Sequence, residues 1–127
     1  MIYGIGIDLA EVNRIQEKIS RNPDFARHVF SEKEIDYCEK QKKSYEHYAA
    51  RWAVKEAFLK AFGLKFIGNH RFYEIETVHD EFGKPFIELS GLMKDAFDEK
   101  ELGRIFVTIS HTSTLAAAYV MIEFANK

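Results

Sequence analysis

A carboxylate and an ammonium four residues apart, Glu56 and Lys60, sit in the most apolar helical stretch of the sequence, YEHYAARWAVKEAFLKAFG at residues 45–63. At 3.6 residues per turn, Ala50, Ala53, Val54, Ala57, Phe58, Ala61 and Phe62 cover one broad face, with Trp52 and Leu59 opposite. An exposed Glu-to-Lys pair of this spacing contributes about 0.3–0.5 kcal/mol and normally has polar neighbours. Here positions 49, 52, 53 and 59 are Ala, Trp, Ala and Leu, so both charges are expected to point into a mostly covered place. A second carboxylate, Asp8, ends the run IYGIGID, where Gly4, Gly6 and Asp8 share one strand face that leaves room for close approach. Asp8 could also serve as the N-cap of a following helix. His111 stands after Ser110, where a β-patterned run breaks, and a hydrogen-bonded turn residue is its competing reading. Two carboxylates without clustered Cys or His suit a hard cation such as Mg²⁺, which takes oxygen ligands and completes its shell with water and phosphate. The five histidines show no zinc spacing.

Those residues need elements to hold them. Residues 2–8 read as a strand, followed by a helix over roughly 10–20 with Val12, Ile15 and Ile19 inward and an end at Asn22-Pro23. A short segment carries Phe25, Val29 and Phe30. Ser31-x-x-Glu34 is a capping box, which starts a helix at Glu32 that runs to about Lys42. Ser44 is the expected cap of the central helix and Gly63 its C-terminal stop. Residues 72–79 and 85–89 read as strands around the turn Asp80 to Lys84, and Leu92, Met93, Ala96 and Phe97 mark a short amphipathic helix. Arg104 to Ser110 and Leu115 to Phe124 form a closing hairpin through residues 111–114. The expected class is α+β: a mainly antiparallel sheet with helices packed on it.

A chain of 127 residues, 46% apolar, is one domain long, and residues 1–127 contain no repeat, low-complexity tract or linker that marks a boundary. A net charge of −2 carries no polybasic signature, so nucleic acid is not an expected partner. One cysteine, Cys38, excludes an internal disulfide framework, and it is expected to be a spectator thiol in a reducing compartment. The start MIYGIGIDLAEV lacks the pattern of a signal peptide, and the apolar run 115–122 is too short to span a bilayer. The expectation is a cytoplasmic protein without membrane partners. Gly4 and Gly6 lack the third glycine of a dinucleotide fingerprint.

The combination of G-I-D at 6–8 with Glu11 and Arg14-Ile15, W-A-V-K-E-A-F-L-K-A-F-G at 52–63, F-G-K-P at 82–85 and I-S-H-T at 109–112 resembles the holo-acyl-carrier-protein synthase family, the small bacterial-type branch of the 4′-phosphopantetheinyl transferases. The likeness runs over essentially the whole chain. It implies transfer of 4′-phosphopantetheine from coenzyme A to a serine of apo-acyl carrier protein, in support of fatty acid biosynthesis. By the family motifs, Asp8 and Glu56 would bind Mg²⁺ with the coenzyme A diphosphate, and Lys60 would act near the leaving phosphate. Arg51, Ser110 and His111 would hold nucleotide phosphates, and Gly83, Lys84 and Pro85 would lie along the adenine. Glu56 or a metal-bound water would take the serine proton. The resemblance also implies homotrimers with a site at each subunit interface, and acyl carrier proteins that are strongly acidic. The basic side of the first helix, Arg14 with Arg21 and Arg27 beyond it, begins just after Asp8 and is therefore expected to dock the carrier protein, with merely solvated charge as the competing reading. Two positions differ from the family: Lys65 stands where a second glycine is common, and Phe30-Ser31 where Leu-Thr-Pro is often found. A non-catalytic trimeric binder of nucleotide or carrier protein and a Mg²⁺-dependent phosphohydrolase are the competing functions.

Overall fold

A computed structural model of the chain describes residues 1–63 and 72–126. In chain order the elements are β1 (Ile2–Glu11), α1 (Val12–Arg21), α2 (Phe25–Val29), α3 (Glu32–Glu39), α4 (Ser44–Phe62), a 3₁₀ turn (Phe72–Glu74), β2 (Ile75–His79), β3 (Pro85–Leu89), α5 (Gly91–Glu99), β4 (Leu102–His111) and β5 (Leu115–Phe124). The strands form two antiparallel sheets, one ordered β1-β5-β4 and one pairing β2 with β3. Lys65 and the glycine- and asparagine-containing loop after Gly63 lie outside the described residues.

Helix α4 is the centre of the core. It packs on β1 and β5, with α1 and α3 against its flanks, and its Tyr48, Ala49, Ala53, Val54, Ala57 and Phe58 are all within 1% of full burial. The helix ends where expected, at Gly63 with φ 99°, whose amide donates to Leu59 O at 3.0 Å. Its contact with β1 depends on the glycine face read in the sequence. A Cβ on Gly4 would stand 2.0 Å from Ala61 O, and one on Gly6 2.0 Å from Ala57 O. The strand therefore lies directly on the helix backbone, and Asp8, next on the same face, is delivered to the α4 surface.

Several boundaries differ from those expected, each for a local reason. Strand β1 continues to Glu11 because β5 pairs with it as far as Glu11 opposite Leu115, so Asp8 lies within the strand opposite Ala118 and is not a helix cap. Helix α1 starts at Val12, whose amide donates to Thr114 O, with Glu11 at the N-cap position and no side-chain cap. Ser44 lies inside α4, with Lys43 at its N-cap, while the Ser31 and Glu34 capping box of α3 is formed in both directions. Helix α3 ends at Glu39, short of Lys42. Residues 72–74 are a 3₁₀ turn and not strand, because the Glu74 carboxylate turns to accept the α5 amides of Leu92 and Met93 at 3.3 and 3.0 Å.

The fully buried cation is Lys55, a residue the sequence pattern did not single out. Its ammonium donates to Glu34 Oε1 at 2.7 Å and to the carbonyls of Phe72 and Ile75 at 3.0 and 2.6 Å. Glu34 Oε2 in turn accepts the amide of Thr77 at 3.0 Å, so one ion pair ties α3, α4 and β2. Burial pulls the Lys55 pKa down, and the Glu34 carboxylate is the chief opposing influence. Cys38 is also fully buried, and its thiol is pushed up to about 12 by that burial, which makes it inert as a nucleophile. No described helix is long and apolar enough to cross a membrane.

The close approach of β1 to α4 predicts that Gly6→Ala destabilises the fold by about 1–3 kcal/mol or more, because the new methyl meets backbone that cannot step aside. Urea unfolding followed by circular dichroism measures it; a variant as stable as the parent would show that the strand is free to shift.

Candidate active site

Strand β1 and helix α4 bring Asp8, Glu56 and Lys60 together. Lys60 Nζ donates to Asp8 Oδ1 at 3.0 Å and to Ile7 O at 3.0 Å, so the ammonium reaches across to the strand and not back along the helix to Glu56. The expectation that both helix charges are covered holds for one of them. Glu56 is half-buried, whereas the Lys60 side chain is 54% exposed and that of Asp8 only 15%. Burial and the adjacent Asp8 carboxylate push the Glu56 carboxyl above the ordinary glutamate range, with Lys60 and Lys18 pulling the other way. Two neighbouring carboxylates, both offering oxygen donors at a partly open surface, fit a hard divalent cation that keeps positions for water and phosphate. Among the described residues no three His, Cys, Asp or Glu side chains form a ready metal cluster, so the protein's share of such a shell is this pair.

Beside this pair, Leu9, Glu11, Arg14, Lys18 and Trp52 line a recess of about 180 Å³. Lys18, one helical turn after Arg14, has its ammonium 5.2 Å from the centre of the Trp52 ring and 5.8 Å from that of Phe25. Arg14 and Arg21 are exposed along α1, as expected, and so is Arg27 on α2. Arg27, however, is paired with Asp24 one helical turn earlier, which offsets part of its charge.

Arg51 and His111 meet in a second recess, of about 190 Å³, that also contains Tyr37, His47, His79 and Pro85. Its guanidinium is 4.2 Å from the Tyr37 ring centre, and the residue is 2% exposed. Glu46 Oε1 lies 3.1 Å from His111 Nδ1. His47 and His79 were missed as site residues. The sequence did hold a signal for each: His47 precedes Arg51 by one helical turn, and His79 is the β2 partner of Pro85. Gly83, with φ 82°, and Lys84 form the exposed turn leading to Pro85, and Asp80 Oδ1 accepts the amide of Lys84 at 2.9 Å. Ser110 is not brought to this recess. Strand alternation puts it on the opposite face of β4 from His111, opposite Ala117.

Arg51 and Glu56 are five positions apart on α4, which sets them about 140° apart around the helix. One chain therefore carries two half-sites that face different ways: an oxygen-donor pair with a lysine, and a recess of arginine and imidazoles.

The class of protein is a phosphopantetheinyl transferase: residues 4–120 match the model of the 4′-phosphopantetheinyl transferase superfamily, and the chain belongs to that family. Within it, the chain is similar to proteins named holo-[acyl-carrier-protein] synthase. That of Clostridium tetani is 43% identical, covering 97% of each chain, and that of Geotalea daltonii is 39% identical, covering 97% of this chain and 99% of its own. Among solved structures, the holo-[acyl-carrier-protein] synthase of Neisseria meningitidis superposes with a TM-score of 0.89 at 30% identity, over 97% of this chain and 99% of that one. The Bacillus anthracis enzyme, solved in complex with CoA (3′,5′-ADP), gives 0.80 at 32% identity, over 98% and 99%.

The raised Glu56 pKa has a defined sign for stability. The folded state binds the Glu56 proton more tightly than the unfolded state, so its stability is greatest below the unfolded pKa and falls as pH rises to the folded one. Glu56→Gln is thus expected to raise the melting temperature by a few degrees at pH 7.5 in EDTA, with the gain vanishing near pH 4 and with Mg²⁺ stabilising only the parent. Differential scanning calorimetry with and without Mg²⁺ checks both; equal stabilisation of parent and variant by Mg²⁺ would remove Glu56 from the cation site.

Proposed function

We propose that this chain transfers 4′-phosphopantetheine from coenzyme A to a serine of apo-acyl carrier protein, in the cytoplasm and in support of fatty acid biosynthesis, with residues 1–127 acting as one domain. The observation that carries the reading is the Asp8, Glu56 and Lys60 constellation, a carboxylate pair with a half-exposed ammonium beside it, in a chain of this family. In the reaction the serine oxygen bonds to the phosphorus that bears pantetheine. The diphosphate bridge opens, and adenosine 3′,5′-bisphosphate leaves with the bridging oxygen. Such a transfer asks the protein mainly for positioning and charge neutralisation.

Glu56 is the protein group we assign to take the serine proton, by its place beside Asp8 and Lys60; the upward push on its carboxyl from burial and from Asp8 belongs to the cation-free site. Lys60, more than half exposed and bonded to Asp8, presents its ammonium to the leaving phosphate. Asp8 and Glu56 would hold Mg²⁺, which when bound offsets the negative charge of the diphosphate. Arg51 and His111 receive the nucleotide phosphates, with Gly83, Lys84 and Pro85 along the adenine and Ser110 contributing from the outer sheet face. Arg14, Arg21 and, more weakly, Arg27 receive an acidic carrier protein, since all three are exposed and Arg14 borders the recess beside the carboxylate pair.

Intact-mass analysis of an apo-carrier incubated with the protein, coenzyme A and Mg²⁺ tests this. The parent adds the phosphopantetheine mass. Lys60→Ala lowers kcat by roughly 10²-fold with little change in KM, and reversing Arg14 and Arg21 to Glu raises the carrier KM about tenfold and flattens its salt dependence. Hydrolysed coenzyme A with an unmodified carrier would make the protein a phosphohydrolase, and binding without reaction would make it a non-catalytic binder.

The chain works as a homotrimer. The support is an unusual sheet face: Ile5, Ile7 and Leu9 of β1, Phe106 of β4, and Leu115 and Tyr119 of β5 are each between 37% and 66% exposed. A contiguous apolar surface of this kind marks an interface. A trimer also lets the arginine recess of one subunit serve the carboxylate pair of the next. Multi-angle light scattering is expected to give three times the 14.8 kDa chain mass, and Tyr119→Glu is expected to lower it; an active monomer would refute the trimer and the shared site together.

A further inference from the structure

The recess around Arg51 contains more chemistry than a phosphate clamp needs. Imidazoles enter it from three elements: His47 from α4, His79 from β2 and His111 from β4. The rings of His47 and His111 are 5.2 Å apart, Tyr37 stacks on His79 at 5.0 Å, and the same Tyr37 ring lies 5.7 Å from His47. At their centre is a guanidinium that is almost fully buried, with no carboxylate partner among the described residues and with no partner for its Nε. Its one hydrogen bond is a long one, 3.4 Å, to His47 O. Buried charges are ordinarily paired, so a lone guanidinium at the wall of a recess of about 190 Å³ calls for an anion.

We propose that this recess binds a phosphate of coenzyme A with uptake of protons by His47 and His79, so that the protein's hold on the nucleotide tightens as pH falls. The inference rests on coenzyme A being the substrate and adds to it a proton-linked site. In the free protein, burial is the main cause that lowers the pKa of both imidazoles. For His47 the His111 ring, the Arg51 guanidinium and, least, the His79 ring act in the same direction, and for His79 Arg51 does. The remaining charged groups facing them are Glu46, beside His47 and bonded to His111, and Asp80, next to His79; each favours the protonated imidazole. A bound phosphate reverses the local field and neutralises Arg51, so the pKa values of His47 and His79 rise on binding. Affinity then grows as pH falls through the bound-state values and levels off below the free-state ones, by about tenfold per pH unit for each fully coupled proton. The phosphate's own second ionisation, near ~6, releases protons when a cationic site binds it and cannot mimic this sign.

The test is calorimetric titration of the full chain with coenzyme A and Mg²⁺ at pH 7, in two buffers of different ionisation enthalpy, with the dissociation constant followed from pH 6.5 to 8. The parent is expected to take up more protons than His47→Gln/His79→Gln, whose affinity at pH 6.5 is about tenfold weaker and whose pH dependence is flatter. If the double variant does not fold, the single variants each lose part of the uptake. Equal proton counts in the parent and in every folded variant would overturn the proposal while leaving coenzyme A as substrate. Failure of the parent to bind coenzyme A at any pH would overturn both.

Discussion

The contact on which the rest depends is backbone against backbone: β1 lies on α4 with no side chain between them at Gly4 and Gly6. Ordinary strand-on-helix packing keeps the two elements a side chain apart. Removing that spacer lets Asp8, two residues past Gly6, reach the surface of α4, close enough for a 3.0 Å bond to Lys60. The same contact makes the strand's other face the outer wall of the molecule, which is why Ile5, Ile7 and Leu9 are left exposed. One constraint therefore sets both the carboxylate pair and the apolar sheet surface.

Helix α4 divides its ionisable residues by what each can reach. Lys55 finds Glu34 and two carbonyls and becomes wholly structural; breaking such a pair by removing one partner typically costs about 3–5 kcal/mol, because the other charge is left uncompensated. Glu56, the next residue, turns to the β1 side, where it meets another carboxylate and is destabilised as an anion. Lys60 reaches solvent. Arg51 is as buried as Lys55 but lacks its carboxylate. A helix of this kind leaves charges poorly compensated at two places, and each would be relieved by the ligand proposed there: a cation at Glu56 and an anion at Arg51.

How much of this was legible in the sequence follows from the range of each interaction. The glycine face, the capping box at Ser31, the stop at Gly63 and the β2-β3 turn are local, and each was readable from residues within one turn or strand of one another. Asp8 with Glu56 and Lys60 came from motif spacing and not from periodicity, because a 52-residue separation leaves no local trace. Lys55 was overlooked for the opposite reason: in the pattern it is one more lysine beside a glutamate, and only Glu34 and the carbonyls of residues 72 and 75 distinguish it. The extra length of β1 and the loss of strand at 72–74 were decided by β5 and by α5, elements more than fifteen residues away. The imidazole recess was hidden because its histidines come from three separate elements.

Strand β4 shows how the two half-sites relate. Its inward residues, Ile105, Val107 and Ile109, pack against the core, and His111 extends that row to the arginine recess. Its outward residues, Phe106, Thr108 and Ser110, lie on the exposed apolar sheet. Adjacent residues at the end of one strand thus address different surroundings: His111 faces the recess of its own subunit, and Ser110 faces whatever covers the sheet. In the proposed trimer that cover is a neighbouring subunit. The wide angle between Arg51 and Glu56 on α4 then becomes an advantage, because half-sites that diverge within one chain are free to converge across an interface. A monomer would have to fold a ligand around its own central helix to reach both.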